Sequence, residues 1–186
     1  MRINFSLIVL IFLFAVSRES VAQLWMGAGA GTPLVMTPSY QLKESGRNIN
    51  IQLESRKYCN LWYGLRIDHF EYEKQEDYPL ATYTDGIFLQ PEFRYIFIPT
   101  DCHNYRIAPW VQLMMIFSSI DADNDTALGG IGAGGGLGFT IPFSLFNMCW
   151  SVDAGVQYMA PNFILKDGDR HTIEQANIFV SINAGL

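Results

Sequence analysis

Apolar and polar residues alternate with a period of two along most of this chain, in segments of about ten residues. After residue 22, no apolar stripe recurs at a spacing of three and four over a helical length. Because successive side chains of a β-strand point to opposite faces, this alternation predicts strands with one apolar face and one polar face. We identify eight predicted strands, at residues 24–34, 48–54, 60–72, 86–97, 105–120, 128–141, 149–161 and 172–186.

The composition restricts the functions that such a chain can perform. Charged residues make up 16% of the 186 residues, against about 25% in an average soluble domain. The formal net charge of −6 excludes a nucleic-acid binder that relies on a basic surface. Aromatic residues make up 14%, which is too many for a disordered chain. We therefore expect one folded domain without a nucleic-acid partner.

The first segment has the features of an export signal. A short basic start at Arg2 precedes an apolar run over 7–16, and Ser20-Val21-Ala22 supplies the small residues that a signal peptidase reads. An anchoring helix is the alternative, but it needs about 20 apolar residues, and two charged residues interrupt this run. The sequence predicts a signal peptide at 1–22 and one mature domain at 23–186.

The connections between the strands distinguish two kinds of β-protein. In a soluble barrel or sandwich the apolar faces point inward, whereas in an outer-membrane barrel they meet lipid. Outer-membrane barrels have an even number of strands, with long external loops alternating with short turns. The predicted connections alternate in this way, with long ones at 37–47, 73–85, 121–127 and 162–171 and short ones at 55–58, 99–104 and 142–148. We predict an all-β fold, an eight-stranded antiparallel up-and-down transmembrane β-barrel.

The polar faces would then fill the inside of the barrel. Eight strands enclose just enough room for side chains, so no open pore is expected. Buried charges are tolerated only when they are paired, and we hypothesise that Arg66 and Arg94 bridge carboxylates inside the barrel. The alternative places some of these residues in water near the strand ends. The predicted lumen charge network consists of Glu54, Arg66, Asp68, Glu92, Arg94 and Asp153.

Glycines occupy one face of the sixth predicted strand, at alternate positions from Gly130 to Gly138. In a strand they give room for large side chains opposite. Residues 130–135 also match G-x-G-x-x-G, but a dinucleotide site needs a helix after the motif, and the alternation continues instead. We therefore predict no cofactor.

Other chemistry has little support in the sequence. Asp121, Asp123 and Asp125 are spaced like the start of an EF-hand loop but lack its glycine and terminal glutamate, so a solvated loop is the alternative to weak cation binding. The three histidines are His69, His103 and His171, and no two have a metal-ligand spacing. We predict no catalytic residue and no metal site.

The three cysteines all lie in or beside the predicted short connections. This places them at one end of the barrel, which would face the oxidising periplasm. Cys59 precedes the third strand and Cys102 follows the fourth, within disulfide reach if the side chains converge. We predict a Cys59–Cys102 bridge with Cys149 free or paired with another chain. Three unlinked cysteines are the alternative.

The mature chain resembles the small outer-membrane β-barrel family, the porin-superfamily proteins of outer-membrane protein A/X type. The resemblance rests on the signal peptide, the opening Trp25-Met26-Gly27-Ala28-Gly29-Ala30-Gly31-Thr32-Pro33 and the closing Ile178-Phe179-Val180-Ser181-Ile182-Asn183-Ala184-Gly185-Leu186. It implies a non-enzymatic outer-membrane protein with a structural or surface-interaction role. The partners it implies are membrane lipids, lipopolysaccharide and, during insertion, the barrel-assembly machinery. The long loops, especially 73–85 and 162–171, would make any contacts with a partner.

Two other functions remain open at this point. The first is a soluble periplasmic or secreted barrel that binds a small apolar ligand. It would need Leu61, Phe93 and Val156 inside, with their polar neighbours in water. The second is a membrane-embedded lipid hydrolase, although none of the histidines begins the His-x-Ser element of the barrels that deacylate lipid A.

Overall fold

A computed structural model describes residues 23–36, 42–44, 46–56, 60–72, 83–100, 102, 105–122, 126–164 and 170–186. The predicted leader at 1–22 lies outside these residues. In the part of the chain that is described, no helix is long and apolar enough to cross a membrane. The strands are β1 (Gln23–Met36), β2 (Leu42–Glu44), β3 (Gly46–Arg56), β4 (Leu61–Tyr72), β5 (Tyr83–Ile96), β6 (Ala108–Ala122), β7 (Thr126–Leu145), β8 (Met148–Ile164), β9 (Arg170–Thr172) and β10 (Gln175–Gly185).

Eight long strands form a closed barrel, which confirms the predicted fold class. The long strands pair antiparallel in chain order, and β10 pairs with both β8 and β1, which closes the wall. The short strands β2 and β9 pair with β1 and β8. Paired residues can be followed from strand to strand once around the barrel. A row that starts at Trp25 of β1 returns to β1 at Val35, so the two ends of the row are offset by ten residues. This stagger tilts the strands by about 40° from the barrel axis.

Each predicted strand corresponds to one long strand of the barrel. The second prediction, 48–54, contained only three apolar residues, yet it is part of the eleven-residue β3. The predicted strand was short because few residues of β3 are apolar. Its inward side chains are polar and buried, so burial alternates along β3 over a longer stretch than hydrophobicity does.

The connections differ from the predicted alternation of long and short. Residues 97–107, predicted to contain a short turn, form an eleven-residue connection between β5 and β6, whereas only 123–125 separate β6 from β7. The β7–β8 connection is a two-residue turn at Phe146 and Asn147, both with positive φ, as a tight hairpin turn requires. β6 and β7 extend into residues that the sequence assigned to a loop, which shortens the connection between them. The connection at 97–107 is longer than predicted because β5 ends at Ile96 and β6 begins only at Ala108, three residues after the predicted start.

The wall is apolar outside, and its inner face is polar along the middle of the barrel. The Phe93 side chain is 62% exposed on the outer face, while the adjacent Glu92 is 2% exposed inside. Leu61 and Val156 are also exposed. The soluble-barrel alternative needed these three apolar side chains inside, so the observed orientation contradicts it.

The two ends of the barrel differ in what they carry. Gln23, the first described residue, and Leu186 lie at one end, where β3 is followed by β4, β5 by β6 and β7 by β8, and we call this the terminus end. The other end, the loop end, carries β2 and β9 and the end of β4 and the start of β5. Residues 73–82 and 165–169 lie outside the described residues.

Candidate functional site: the filled lumen

The six charged residues predicted for the lumen all point into the barrel. Each lies at an inward position of a wall strand and is at most 2% exposed. They come from β3, β4, β5 and β8, so the network joins strands that are not neighbours in the wall. None of the six lies in water near a strand end.

Arg94 contacts three carboxylates at once. Its Nη1 atom lies 2.5 Å from Oδ2 of Asp153 and 3.2 Å from Oε1 of Glu54. Its Nη2 atom lies 3.6 Å from Oε1 of Glu92. Gln112 donates a 2.9 Å hydrogen bond to Glu92, and Thr140 donates a 2.6 Å hydrogen bond to Asp153. Charged groups removed from water are therefore paired and hydrogen-bonded, as burial requires.

Arg66 forms a separate pair with Asp68. Its Nε and Nη2 atoms donate to the two carboxylate oxygens at 2.9 and 3.1 Å, which is a bidentate arrangement. Asn48 donates a further 2.9 Å hydrogen bond to Asp68. The guanidinium also lies 4.1 Å from the centre of the Phe179 ring. Arg66 thus holds one carboxylate, whereas Arg94 holds three.

Arg56 is a third lumen guanidinium, one that the predicted charge network did not include. Its guanidinium carbon lies 3.3 Å from the ring centre of Trp25 and 3.4 Å from that of Trp62. Its Nη2 atom lies 3.5 Å from Glu54 and donates to the Ser151 hydroxyl at 3.1 Å. Arg56 continues the inward phase of 48, 50, 52 and 54, so extending the predicted strand by two residues would have found it.

Two apolar clusters enclose this polar network. The cluster toward the terminus end includes Trp62, Ile96 and Trp110. The Trp110 ring packs so closely that a Cβ added at Gly138 or Gly155 would lie 2.5 or 2.7 Å from it. The inward glycines of β7 therefore do give room to a large lumen side chain. The cluster toward the loop end contains Phe70, Phe88, Met114, Ile116, Ile120, Met159 and Ile173.

The disulfide joins Cys102 to Cys149, with their Cα atoms 5.4 Å apart. The predicted Cys59–Cys102 bridge is therefore wrong, and Cys59 itself lies outside the described residues. That prediction assumed that Cys102 stays beside the strand it follows. The connection at 97–107 is instead long enough to reach β8, two strands beyond β6, where Cys149 is the second residue.

Within the described residues, the remaining candidates do not assemble into a site. His69 faces outward, with its Nε2 atom 3.7 Å from Oδ1 of Asp85. His103, Asp123 and Asp125 lie outside the described residues. Among those described, no group of three or more His, Cys, Asp or Glu side chains could hold a metal ion. The G-x-G-x-x-G match lies inside β7, a continuous strand.

Comparison with known proteins supports the fold. No protein-family model matches the chain. No curated protein matches it either. Among solved structures, Neisserial surface protein A aligns with a TM-score of 0.65 and 12% identity over 88% of this chain and 97% of that one. The N-terminal β-barrel domain of Pseudomonas aeruginosa OprF aligns with a TM-score of 0.59 and 10% identity over 89% and 99%. The chain therefore has the small-barrel fold that its sequence resembles.

Proposed function

We propose that this protein is an integral outer-membrane β-barrel without catalytic activity, with a structural or surface-interaction role. The observation that carries this proposal is the inverted polarity of the wall. A closed barrel satisfies its backbone hydrogen bonds internally, and its apolar outer face suits hydrocarbon. In water the same face would leave side chains such as Leu113, 72% exposed, without a partner.

The lumen supports a role other than transport. Paired charges fill its middle, and an apolar cluster lies on each side of them. A solute would have to displace buried ion pairs, which costs several kcal/mol for each pair. Function is then exerted at the ends of the barrel, and the loops around 73–85 and 162–171 are the segments that would contact a partner.

The route to the membrane follows from the leader. The signal peptide at 1–22 directs export and is removed, and the barrel-assembly machinery then inserts the mature domain. Its lasting neighbours are outer-membrane lipids and lipopolysaccharide.

Fractionation and permeability measurements test this proposal. The full-length chain is expressed in a bacterium with an outer membrane, and its membranes are washed with carbonate. We expect the mature protein to begin at Gln23, to stay in the outer-membrane fraction and to migrate faster on a gel before boiling than after. Liposomes that contain it should swell no faster in sugar solution than empty ones. Recovery in the soluble fraction would contradict membrane integration, and rapid swelling would contradict the filled lumen.

A further inference from the structure

The Cys102–Cys149 disulfide lies on the inner side of the barrel wall, at the terminus end. Ser151 and Asp153 of β8 face the lumen and are 0% exposed, and Cys149 has the same phase, two residues before Ser151. Cys102 belongs to the connection between β5 and β6, and β7 lies between β6 and β8 in the wall. The bond therefore draws this connection across the inner face of β7.

The last inward side chains at this end are covered, although the wall is shorter on one side. β6 no longer pairs with β7 beyond residue 140, yet Pro142, the next inward residue of β7, is buried. Ile96 and Ala108, at the end of β5 and the start of β6, are 0% exposed. At an open barrel end these side chains would contact water. The connection that crosses β7 accounts for their cover.

The opposite side of this barrel end is closed by noncovalent contacts. The Arg56 guanidinium lies between the rings of Trp25 and Trp62, at 3.3 and 3.4 Å from their centres. It also contacts Glu54 and Ser151 further inside. Packing of side chains from β1, β3 and β4 therefore closes their side of the opening.

The connection between β5 and β6 is attached in a different way, through one buried residue. Of its eight described residues, 97–100, 102 and 105–107, Cys102 alone is buried. Its large apolar side chains Phe97, Tyr105 and Ile107 are exposed. Burial of apolar side chains is the usual means of holding such a segment in place. Here the disulfide supplies the attachment instead.

We propose that this disulfide is a redox-sensitive switch at the terminus end of the lumen. When oxidised, it holds the connection over the opening and keeps water out. When reduced, it releases the connection and admits water as far as the buried tryptophans. The inference rests on the proposed membrane location, because the terminus end then faces the periplasm, where thiol–disulfide exchange proteins act. The ion pairs of Arg94 do not involve this bond, so reduction opens one end of the lumen and not a pore.

The reductant of this switch is a dithiol. One of its thiolates attacks a sulfur of the bond, which forms a mixed disulfide and releases the other cysteine as a thiolate. Its second thiol then displaces the remaining cysteine, so that the dithiol becomes a disulfide and both cysteines end as thiols. The two protons that the cysteines gain come from the dithiol. Cys149 is partly exposed, so the attack has access to the bond.

Tryptophan quenching by acrylamide in water measures the opening. Trp25, Trp62 and Trp110 are at most 2% exposed inside the barrel, whereas Trp150 lies on the outer face and is replaced in Trp150→Phe. This variant is folded in detergent micelles and titrated with acrylamide before and after treatment with dithiothreitol. We expect the quenching slope to be low in the oxidised protein and to rise after reduction, as the indoles lose their protection from water.

Two variants in the same background separate the effect of the bond from that of the reagent. Cys102→Ser combined with Cys149→Ser should show the higher slope both with and without dithiothreitol. The matched control Cys59→Ser retains the bond and should respond to reduction as its parent does. A heat-modifiability gel verifies that each reduced sample is still a folded barrel.

Other results would overturn the inference. An unchanged slope in a sample whose cysteines titrate as thiols would mean that packing, and not the bond, closes this end. A bond that dithiothreitol leaves intact in the folded protein could not act as a switch. Loss of the folded band after reduction would make the bond a structural one. These failures leave the proposed function intact, because the protein would still resist the carbonate wash, whereas recovery in the soluble fraction would refute the proposed function whatever the quenching slope.

Discussion

Arg94 pairs with three buried carboxylates, so removing its guanidinium leaves several buried negative charges without their partner at once. In Arg94→Leu, Asp153 and Glu92 would lose their guanidinium partner, and Glu54 would keep only Arg56 at 3.5 Å. Removing one member of a buried ion pair costs about 3–5 kcal/mol. We expect the free energy of unfolding to fall by at least about 3 kcal/mol in a urea titration of the micelle-bound protein. Unchanged heat resistance on a folding gel would contradict the ion-pair network.

Glu92 should behave differently from Asp153, although both face Arg94. The described lumen holds four carboxylates and three guanidiniums, so one negative charge is in excess. Glu92→Gln removes that excess and a long 3.6 Å contact, whereas Asp153→Asn removes the 2.5 Å ion pair. We expect Asp153→Asn to lower the urea midpoint clearly and Glu92→Gln to leave it unchanged or raise it. Equal losses in the two variants would refute this charge balance.

The orientation of lumen residues could be predicted from the sequence because it depends only on the period of the strand. That rule placed Arg66 and Asp153 inside without any knowledge of their partners. The contact partner of each lumen residue depends on strands that are far apart in the chain. Arg94 on β5, for example, pairs with Asp153 on β8. Arg56 was missed for a local reason, since the apolar pattern ended before the strand did.

The 97–107 connection and β8 are joined by one covalent bond. The Cys102–Cys149 disulfide joins two residues with a sequence separation of 47. In the chain-entropy model, closing a loop of that length in the unfolded chain stabilises the folded protein by about 4 kcal/mol. Cys149→Ser should therefore lower the unfolding midpoint under oxidising conditions, and a reducing agent should lower that of the unmodified protein in the same way.

Thiol counting tests the pairing itself. Denatured, unreduced protein should show one reactive thiol, and Cys59→Ser should show none. If the bridge were Cys59–Cys102, Cys59→Ser would instead release Cys102 and show two thiols. Three thiols in the unmodified protein would mean that no bridge forms.

Strand ends were harder to predict than strands. A short connection was predicted to begin at residue 142, yet β7 continues through Pro142 to Leu145. The register with β6 ends at Thr140, so β7 is an edge strand at Pro142, where a proline is tolerated. The length of a connection decides how far its residues reach across the barrel. The pairing of Cys102 therefore could not be predicted while the strand ends were uncertain.

The barrel as a whole is specified by polarity more than by any one contact, and this gives the strongest test of its environment. Leu113 lies midway along β6 and Ser119 lies near its loop end, both on the outer face. An arginine on the lipid face costs about 2–4 kcal/mol at the bilayer midplane and about 0–1 kcal/mol near the interface. Leu113→Arg should therefore lower the unfolding free energy in vesicles by about 2–4 kcal/mol, and Ser119→Arg by under about 1 kcal/mol. In a water-exposed barrel neither arginine would be costly, so equal stability of the two variants would contradict a membrane-embedded wall.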